Sequence, residues 1–339
     1  MTDHLMDKLS VAAAQLLKVP AAQLSLQRIN DGLSHHSFVC DTGSSKYYIK
    51  VYTFRDKPAQ RVAQINHITD LMCRKGIPAP QLLAYAPAYA NVVVHTYVDA
   101  DQIGWNSTLL APLAELYSDI TLIALAEKGS ISKSAYLNAL KSVETPILEQ
   151  VDNKTGPSPG LNQQALKIYR QVIEGLTRHL PEKPLLVIKH HDDFTENNIL
   201  ADQSGIRLIC DWDSWRDVVF VSHLASSASR FSTQAPMSGK LEKNRLAMFL
   251  GALSPEVILP VTKDTGFASI FPYLAVLKHI ASYTFRNLKV NQGRAELQQT
   301  LLVDPLEHCQ WMMDNHAMVS EWVDSILENL SQGRQPKSE

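Results

Sequence analysis

The chain has 339 residues, 45% hydrophobic and 19% charged, with a formal net charge of −2 at pH 7. That length suits two lobes better than a single core, and the charge balance leaves no basic field to attract nucleic acid or an anionic membrane surface. Cys40, Cys73, Cys210 and Cys309 lie far apart without a Cys-x-x-Cys pair, which argues against a zinc site and a secreted disulfide framework. The polar start, Met1-Thr2-Asp3-His4-Leu5, lacks a signal-peptide core. No apolar run is read as approaching the ~20 residues that span a bilayer. A cytosolic protein is expected, with no nucleic-acid or membrane partner; a homodimer is allowed.

In chain order, Leu5, Leu9, Ala12, Ala13, Leu16 and Leu17 recur at helical spacing and predict an amphipathic helix over 5–17, stopped by Pro20. A strand over 24–30 leads into Asp31-Gly32-Leu33-Ser34-His35-His36-Ser37-Phe38. Apolar runs at 38–40 and 47–52 flank Thr42-Gly43-Ser44-Ser45, the pattern of a hairpin. Lys50 sits inside the second run. A buried ammonium needs a partner, and bound phosphate is an obvious one; the plain alternative is an edge-strand lysine facing water. A helix over 59–74 carries Val62, Ile65, Ile68, Leu71 and Met72 on one face, ends at Gly76-Ile77-Pro78 and contains no Glu. A strand over 91–98 follows, and then a mostly helical region with helices expected over 109–126, 134–151 and 161–180.

The densest chemistry lies further on. Leu185-Leu186-Val187-Ile188 reads as a strand leading into His191-Asp192-Asp193-Phe194-Thr195-Glu196-Asn197-Asn198. Apolar segments at 199–201 and 206–210 surround Asp202-Gln203-Ser204-Gly205, a second hairpin that runs into Asp211-Trp212-Asp213. Such a hairpin gathers Asp193, Asn198 and Asp211. Asp193 can accept a proton from a hydroxyl, while Asn198 and Asp211 offer hard oxygen ligands for Mg²⁺ carrying nucleotide phosphates. The bland alternative is an acidic surface loop beside a hairpin.

His-x-Asp-x-x-x-x-Asn followed by a hydrophobic-Asp-Trp-Asp segment resembles the aminoglycoside phosphotransferase and choline kinase family, small-molecule kinases with a protein-kinase-like fold. The resemblance implies an α+β, two-lobed architecture: a small nucleotide-binding lobe with an antiparallel sheet over 1–97, and a larger, mostly helical catalytic lobe over 98–339. It implies Asp193 as catalytic base, His191 as the brace of its loop, Asn198 and Asp211 as Mg²⁺ ligands, and ATP as phosphoryl donor. Gly32 and Ser34 match the family's Gly-Leu-Ser-Asn loop and would cradle phosphate, with Lys50 over the phosphates; a plain turn is the alternative for the loop. Backbone groups around Thr96, Tyr97 and Val98 would meet the adenine.

Four positions depart from the pattern. His35 stands where Asn is common, and the helix over 59–74 lacks the Glu that usually pairs with the strand lysine, its place falling near Asn66. Tyr117 replaces a His, read as a packing difference, and His223 stands where a buried Asp is expected. Asp213 is open between touching a second metal ion and capping the next helix.

Beyond residue 226 the chain reads as helical, with amphipathic stretches over 274–290, 295–303 and 311–330. In the resembling family these helices wall the acceptor pocket. Trp212, Trp215, Tyr273, Tyr283, Trp311 and Trp322 are candidates for a cation–π wall or for ordinary core. The leading expectation is an ATP-dependent kinase acting on a hydroxyl of a small molecule: an amino alcohol, a sugar derivative or an aminoglycoside-like compound. The second reading is a non-catalytic nucleotide-binding pseudokinase with a regulatory role, drawn from the missing Glu and from His35 and His223. A hydrolase would need a nucleophile elbow or a metal cluster, and the sequence shows neither.

Overall fold

The computed structural model describes residues 3–29, 35–53, 57–86, 92–103, 107–152, 159–233, 239–264, 266–291 and 300–333. By contact the chain divides into two compact units, Met1–Ile103 with Asn197–Trp215, and Gly104–Glu196 with Arg216–Glu339. The first boundary thus falls six residues later than the expected 97/98, and the hairpin after the acidic motif joins the N-terminal unit. Backbone pairing is the reason. Ile209 N–H donates to Pro78 O at 2.7 Å, and Ile103 N–H donates to Ile199 O at 2.9 Å.

The first unit is built on an antiparallel sheet of β1 (Ser25–Arg28), β2 (His36–Asp41), β3 (Lys46–Val51), β4 (Leu82–Ala86) and β5 (Val92–Thr96), in the order β1-β2-β3-β5-β4. The opening helix α1 (Asp3–Leu17) covers one face. Its Leu9, Ala12 and Ala13 pack with Phe38, Cys40, Ile49, Val51, Val92 and Val94 in one core cluster. Strand side chains alternate faces, so Lys50, between Ile49 and Val51, points away from that cluster. It sits in a central strand, opposite Ser37 on β2 and Val93 on β5, and is only 6% exposed. The edge-strand alternative is therefore excluded.

Helix α2 (Pro58–Arg74) follows, with Val62, Ile65 and Met72 buried. It ends at Gly76, whose φ of +81° is the left-handed conformation that glycine adopts without strain. A second sheet holds β6 (Asp101–Gln102), β9 (Ile199–Asp202) and β10 (Gly205–Ile209), in the order β10-β9-β6. Its hairpin turns through Gly205, where φ is +118°.

In the second unit, β7 (Gly129–Ile131), β8 (Leu185–His191) and β11 (Trp215–Val219) form a small sheet in the order β11-β8-β7. Helices α3 (Leu110–Ala124) and α6 (Phe220–Phe231) pack against β8, while α4 (Lys133–Asp152) and α5 (Pro159–His179) pack on each other. Then come α7 (Lys243–Gly251), α8 (Pro255–Asp264), α9 (Phe267–Asn291), α10 (Thr300–Asp314) and α11 (His316–Ser331). The stretch 107–127 is, by length and composition alone, long and apolar enough to cross a membrane, contrary to the sequence reading. Within this unit its Leu110, Leu113, Ala114, Tyr117, Ile120 and Ala124 are core residues.

The helix expected over 311–330 is two helices. Asn315 separates α10 from α11, and its side chain bonds back to Trp311 O at 2.8 Å. Part of the stretch expected at 295–303 lies outside the described residues. The helices expected from 109, 134 and 161 are present as α3, α4 and α5.

Candidate active site

Unit 1 carries the lysine and both carboxylates of the Asp-Trp-Asp segment. Trp212, 2% exposed, anchors that segment by donating its indole N–H to Ile209 O at 2.6 Å. Asp211, just before it, has φ +66°, a left-handed conformation that Asp adopts more readily than most residues. Cys210 N–H donates to Asn198 O at 2.7 Å. This bond holds together the backbone at Asn198 and the residue preceding Asp211, so the two expected metal ligands are neighbours.

Lys50 Nζ donates to Asp211 Oδ1 and, at 3.0 Å, to Asp213 Oδ1. The remaining Asp213 oxygen accepts from His35 Nε2 at 2.9 Å. The Lys50 ammonium also lies 4.9 Å from the Tyr52 ring centroid. Burial disfavours the charged lysine, but Asp211, Tyr52 and Asp213 outweigh it and hold its pKa well above the ordinary value. Burial likewise raises both carboxyls. Asp213 is pulled well below the carboxylate range by His35 and Lys50, whereas Asp211 stays raised, its neighbour Asp213 adding to the rise. Within the protein, then, Asp213 contacts Lys50 and His35, and the following helix α6 has no side-chain cap.

Gly32 and Ser34, expected to cradle phosphate, lie outside the described residues. The amide of Thr96 is already used, donating to Gln81 O at 3.1 Å. This confines the expected hinge contacts to Tyr97, Val98 and the Thr96 carbonyl. Asn66 makes no described bond to Lys50, and its side-chain oxygen is buried without a hydrogen-bond partner among the described residues.

Unit 2 carries His191 and Asp193 at the end of β8. His191 is fully buried and meets the Phe194 ring at 6.4 Å. His223 on α6 donates from Nε2 to His191 O at 3.1 Å, and its Nδ1 accepts from Tyr117 on α3 at 2.8 Å. Two of the four departures are thus one hydrogen-bonded pair: the ring of Tyr117 stacks on His223 at 5.5 Å while both brace the strand end. Burial, then Lys278, keeps His223 neutral by holding its pKa well below the usual histidine value.

Asp192, beside the expected base, is occupied. Arg216 donates to it from Nε at 2.7 Å and again from a terminal nitrogen, and Lys278 on α9 lies 3.5 Å away. Burial alone would raise its carboxyl, but Lys278 and Arg216 hold it below the usual range. Asp193, half-buried, follows in the turn after β8.

Sequence reasoning missed Glu196 and Arg230. Glu196, 4% exposed, accepts Arg230 Nε at 2.6 Å and a terminal nitrogen at 2.9 Å, tying the acidic loop to α6. The available signal was Arg230 itself, the one formal charge in the twelve residues of α6. Breaking a buried pair by removing one partner leaves an uncompensated charge. Glu196→Gln is therefore expected to destabilise the protein by about 3–5 kcal/mol, measured by urea unfolding; a change within error would refute this anchoring role.

Among the described residues the cation–ring contacts are Lys46 with Tyr97 and Lys50 with Tyr52. Of the aromatic candidates, Trp212 and Trp215 meet each other at 5.8 Å, and Tyr283 is buried with its hydroxyl on Asn162.

Unit 1 thus holds a buried strand lysine bonded to the Asp after a hairpin, with an Asn close by. The comparisons give the family. The sequence model of the phosphotransferase enzyme family matches residues 25–238, and the chain belongs to that family. No protein of curated function matches by sequence. Among solved structures, choline kinase LicA from Streptococcus pneumoniae superposes with a TM-score of 0.61 at 13% identity, covering 92% of this chain and 100% of that one. Choline kinase from Cryptosporidium parvum Iowa II gives 0.57 at 11% identity, covering 97% of each chain. A thermostable mutant of aminoglycoside phosphotransferase APH(4)-Ia, in a ternary complex with ADP and hygromycin B, gives 0.57 at 11% identity, covering 93% and 98%. At these identities the superpositions establish the α+β, protein-kinase-like fold.

Proposed function

We propose that this phosphotransferase moves the γ-phosphoryl group of ATP to a hydroxyl of a small molecule. The observation that carries the reading is the bond between Lys50 and Asp211 within one unit, with Asn198 held beside them by the Cys210–Asn198 backbone bond. The donor set fits a hard cation. Asp211, its side chain 37% exposed, and the amide Asn198 offer oxygens only. The described residues contain no group of three or more His, Cys, Asp or Glu that could hold a metal by themselves. Such a sparse set suits Mg²⁺, which keeps waters and takes its other ligands from nucleotide phosphates. When bound, the ion would neutralise charge on the transferring group.

The protein's own contribution is positioning and electrostatics. Lys50 supplies a fixed positive charge for the phosphates, and Gly32 and Ser34 are assigned to cradling them. Asp193 accepts the proton of the attacking hydroxyl, on a strand end braced by His191, His223 and Tyr117. Asp192 is a poor competitor for that role because Arg216 and Lys278 hold it as an ion pair.

The charges of the second unit bear on the acceptor. Asp192, Asp193 and Glu196 are matched by Arg216, Arg230 and Lys278, the last two with Asp193 in their electrostatic surroundings. Among these described residues the carboxylates are not in excess. This favours an amino alcohol or sugar derivative over an aminoglycoside. The test is transfer of label from γ-labelled ATP into a small-molecule extract of the source cells, with Mg²⁺. A labelled metabolite formed by the native enzyme and absent with Asp193→Asn is expected; ATP binding without any transfer would overturn the reading in favour of a regulatory nucleotide-binding protein.

A further inference from the structure

Lys50 is buried in a central strand, and an ammonium there requires a permanent counter-charge. Helix α2 does not provide one. Its one acid, Asp70, is 65% exposed and pairs with Arg74 at 3.0 Å. The counter-charge comes from the turn after β10, where Asp211 and Asp213 both receive Lys50.

The two carboxylates are held differently. Asp213 spends one oxygen on Lys50 at 3.0 Å and the other on His35 Nε2 at 2.9 Å, so both are fixed by protein. Its side chain is 12% exposed, against 37% for Asp211. The histidine is itself set. Thr53 N–H donates to His35 Nδ1 at 3.2 Å, which places the ring proton of neutral imidazole on Nε2, where Asp213 needs it. Tyr52 closes the cluster, its ring 5.0 Å from His35 and 4.9 Å from the ammonium.

We propose that Asp213, locked by His35, is the permanent counter-ion of Lys50 and positions its ammonium for nucleotide phosphates, so that Asp211 can give up its bond to Lys50 and serve the metal. The inference rests on the proposed kinase reading. Asp213 and His35 are positioning residues that act through Lys50. The arrangement also explains how an α2 without a Glu can coexist with a buried strand lysine.

The experiment compares Asp213→Asn, His35→Ala, His35→Gln and Lys50→Met. ADP affinity is measured by calorimetry without metal, and acetylation of Lys50 by an amine-reactive reagent is followed by peptide mass spectrometry. Charge-assisted bonds are about twice as strong as neutral ones, so Asp213→Asn and His35→Ala should each weaken ADP binding by roughly tenfold and speed Lys50 acetylation. His35→Gln carries an amide N–H able to reach the same carboxylate oxygen, and should stay close to native in both readouts. Native ADP affinity and native Lys50 acetylation in folded Asp213→Asn would overturn the proposal. If that variant does not fold, the histidine pair decides: indistinguishable His35→Ala and His35→Gln overturn it equally. Lys50→Met separates the two levels. Loss of ADP binding there with none in Asp213→Asn removes only the counter-ion role, whereas unchanged ADP binding in Lys50→Met removes the assigned nucleotide role of Lys50 itself.

Discussion

Asp193→Asn is expected to cut turnover by at least ~100-fold, the usual loss on removing a general base, while nucleotide affinity stays near native. A hundredfold corresponds to about 2.7 kcal/mol of transition-state stabilisation. The amide keeps the size of the carboxylate and loses its ability to accept the hydroxyl proton. Folding should be spared, because Asp193 is only half-buried and the loop is anchored by the neighbouring Glu196–Arg230 pair. The adjacent carboxylate supplies the control. Asp192 is already committed to Arg216 and Lys278, so Asp192→Asn should lower stability and leave the pH dependence of turnover in place. The two variants are compared by steady-state kinetics and nucleotide titration. Near-native turnover in Asp193→Asn would remove that residue from the reaction.

The regular elements were readable from the chain because their causes are local. Helical spacing gave α1, α2, α3, α4 and α5, and the glycine-containing turns at Gly43 and Gly205 gave both hairpins. Lys50 was legible as a residue in need of a partner; its partners were not. Asp211 and Asp213 lie 161 and 163 residues away in sequence. No periodicity encodes a contact of that range. Asp213 was left between a second metal and a helix cap, and its contacts in the fold are instead with Lys50 and His35.

The departures from the family pattern behaved in a related way. His35, Tyr117 and His223 each look like a loss when taken singly. In space Tyr117 and His223 bond to one another, and His35 bonds to Asp213. Paired changes conceal themselves from a reading that takes one position at a time. Arg230 and Lys278 carried a usable warning, since Arg230 is the one formal charge in α6 and Lys278 ends the apolar stretch 274–277 of α9. The break at Asn315 carried little, because apolar spacing continues on both sides of it and neither Gly nor Pro marks it.

Asp211→Asn is expected to abolish Mg²⁺-dependent ATP binding while leaving the protein folded. Both halves follow from the geometry. Asp211 sits at φ +66°, and Asn shares the tolerance of Asp for this left-handed conformation, so the backbone need not move. Lys50 keeps Asp213 as a counter-charge, which avoids the several kcal/mol that an unpaired buried ammonium would cost. The destabilisation should therefore be small, well below that of Glu196→Gln. The metal site has no such reserve. Asn198 is the other donor assigned to it, and a neutral amide pair lacks the negative charge that a strongly hydrated divalent cation requires. ATP affinity would be titrated with and without Mg²⁺ in native and variant protein. Native protein should bind more tightly with the ion and the variant should show no difference, any residual affinity reflecting Lys50 and the phosphate loop alone. An unchanged metal response in folded Asp211→Asn would move the ion elsewhere and leave Asp211 a structural partner of Lys50.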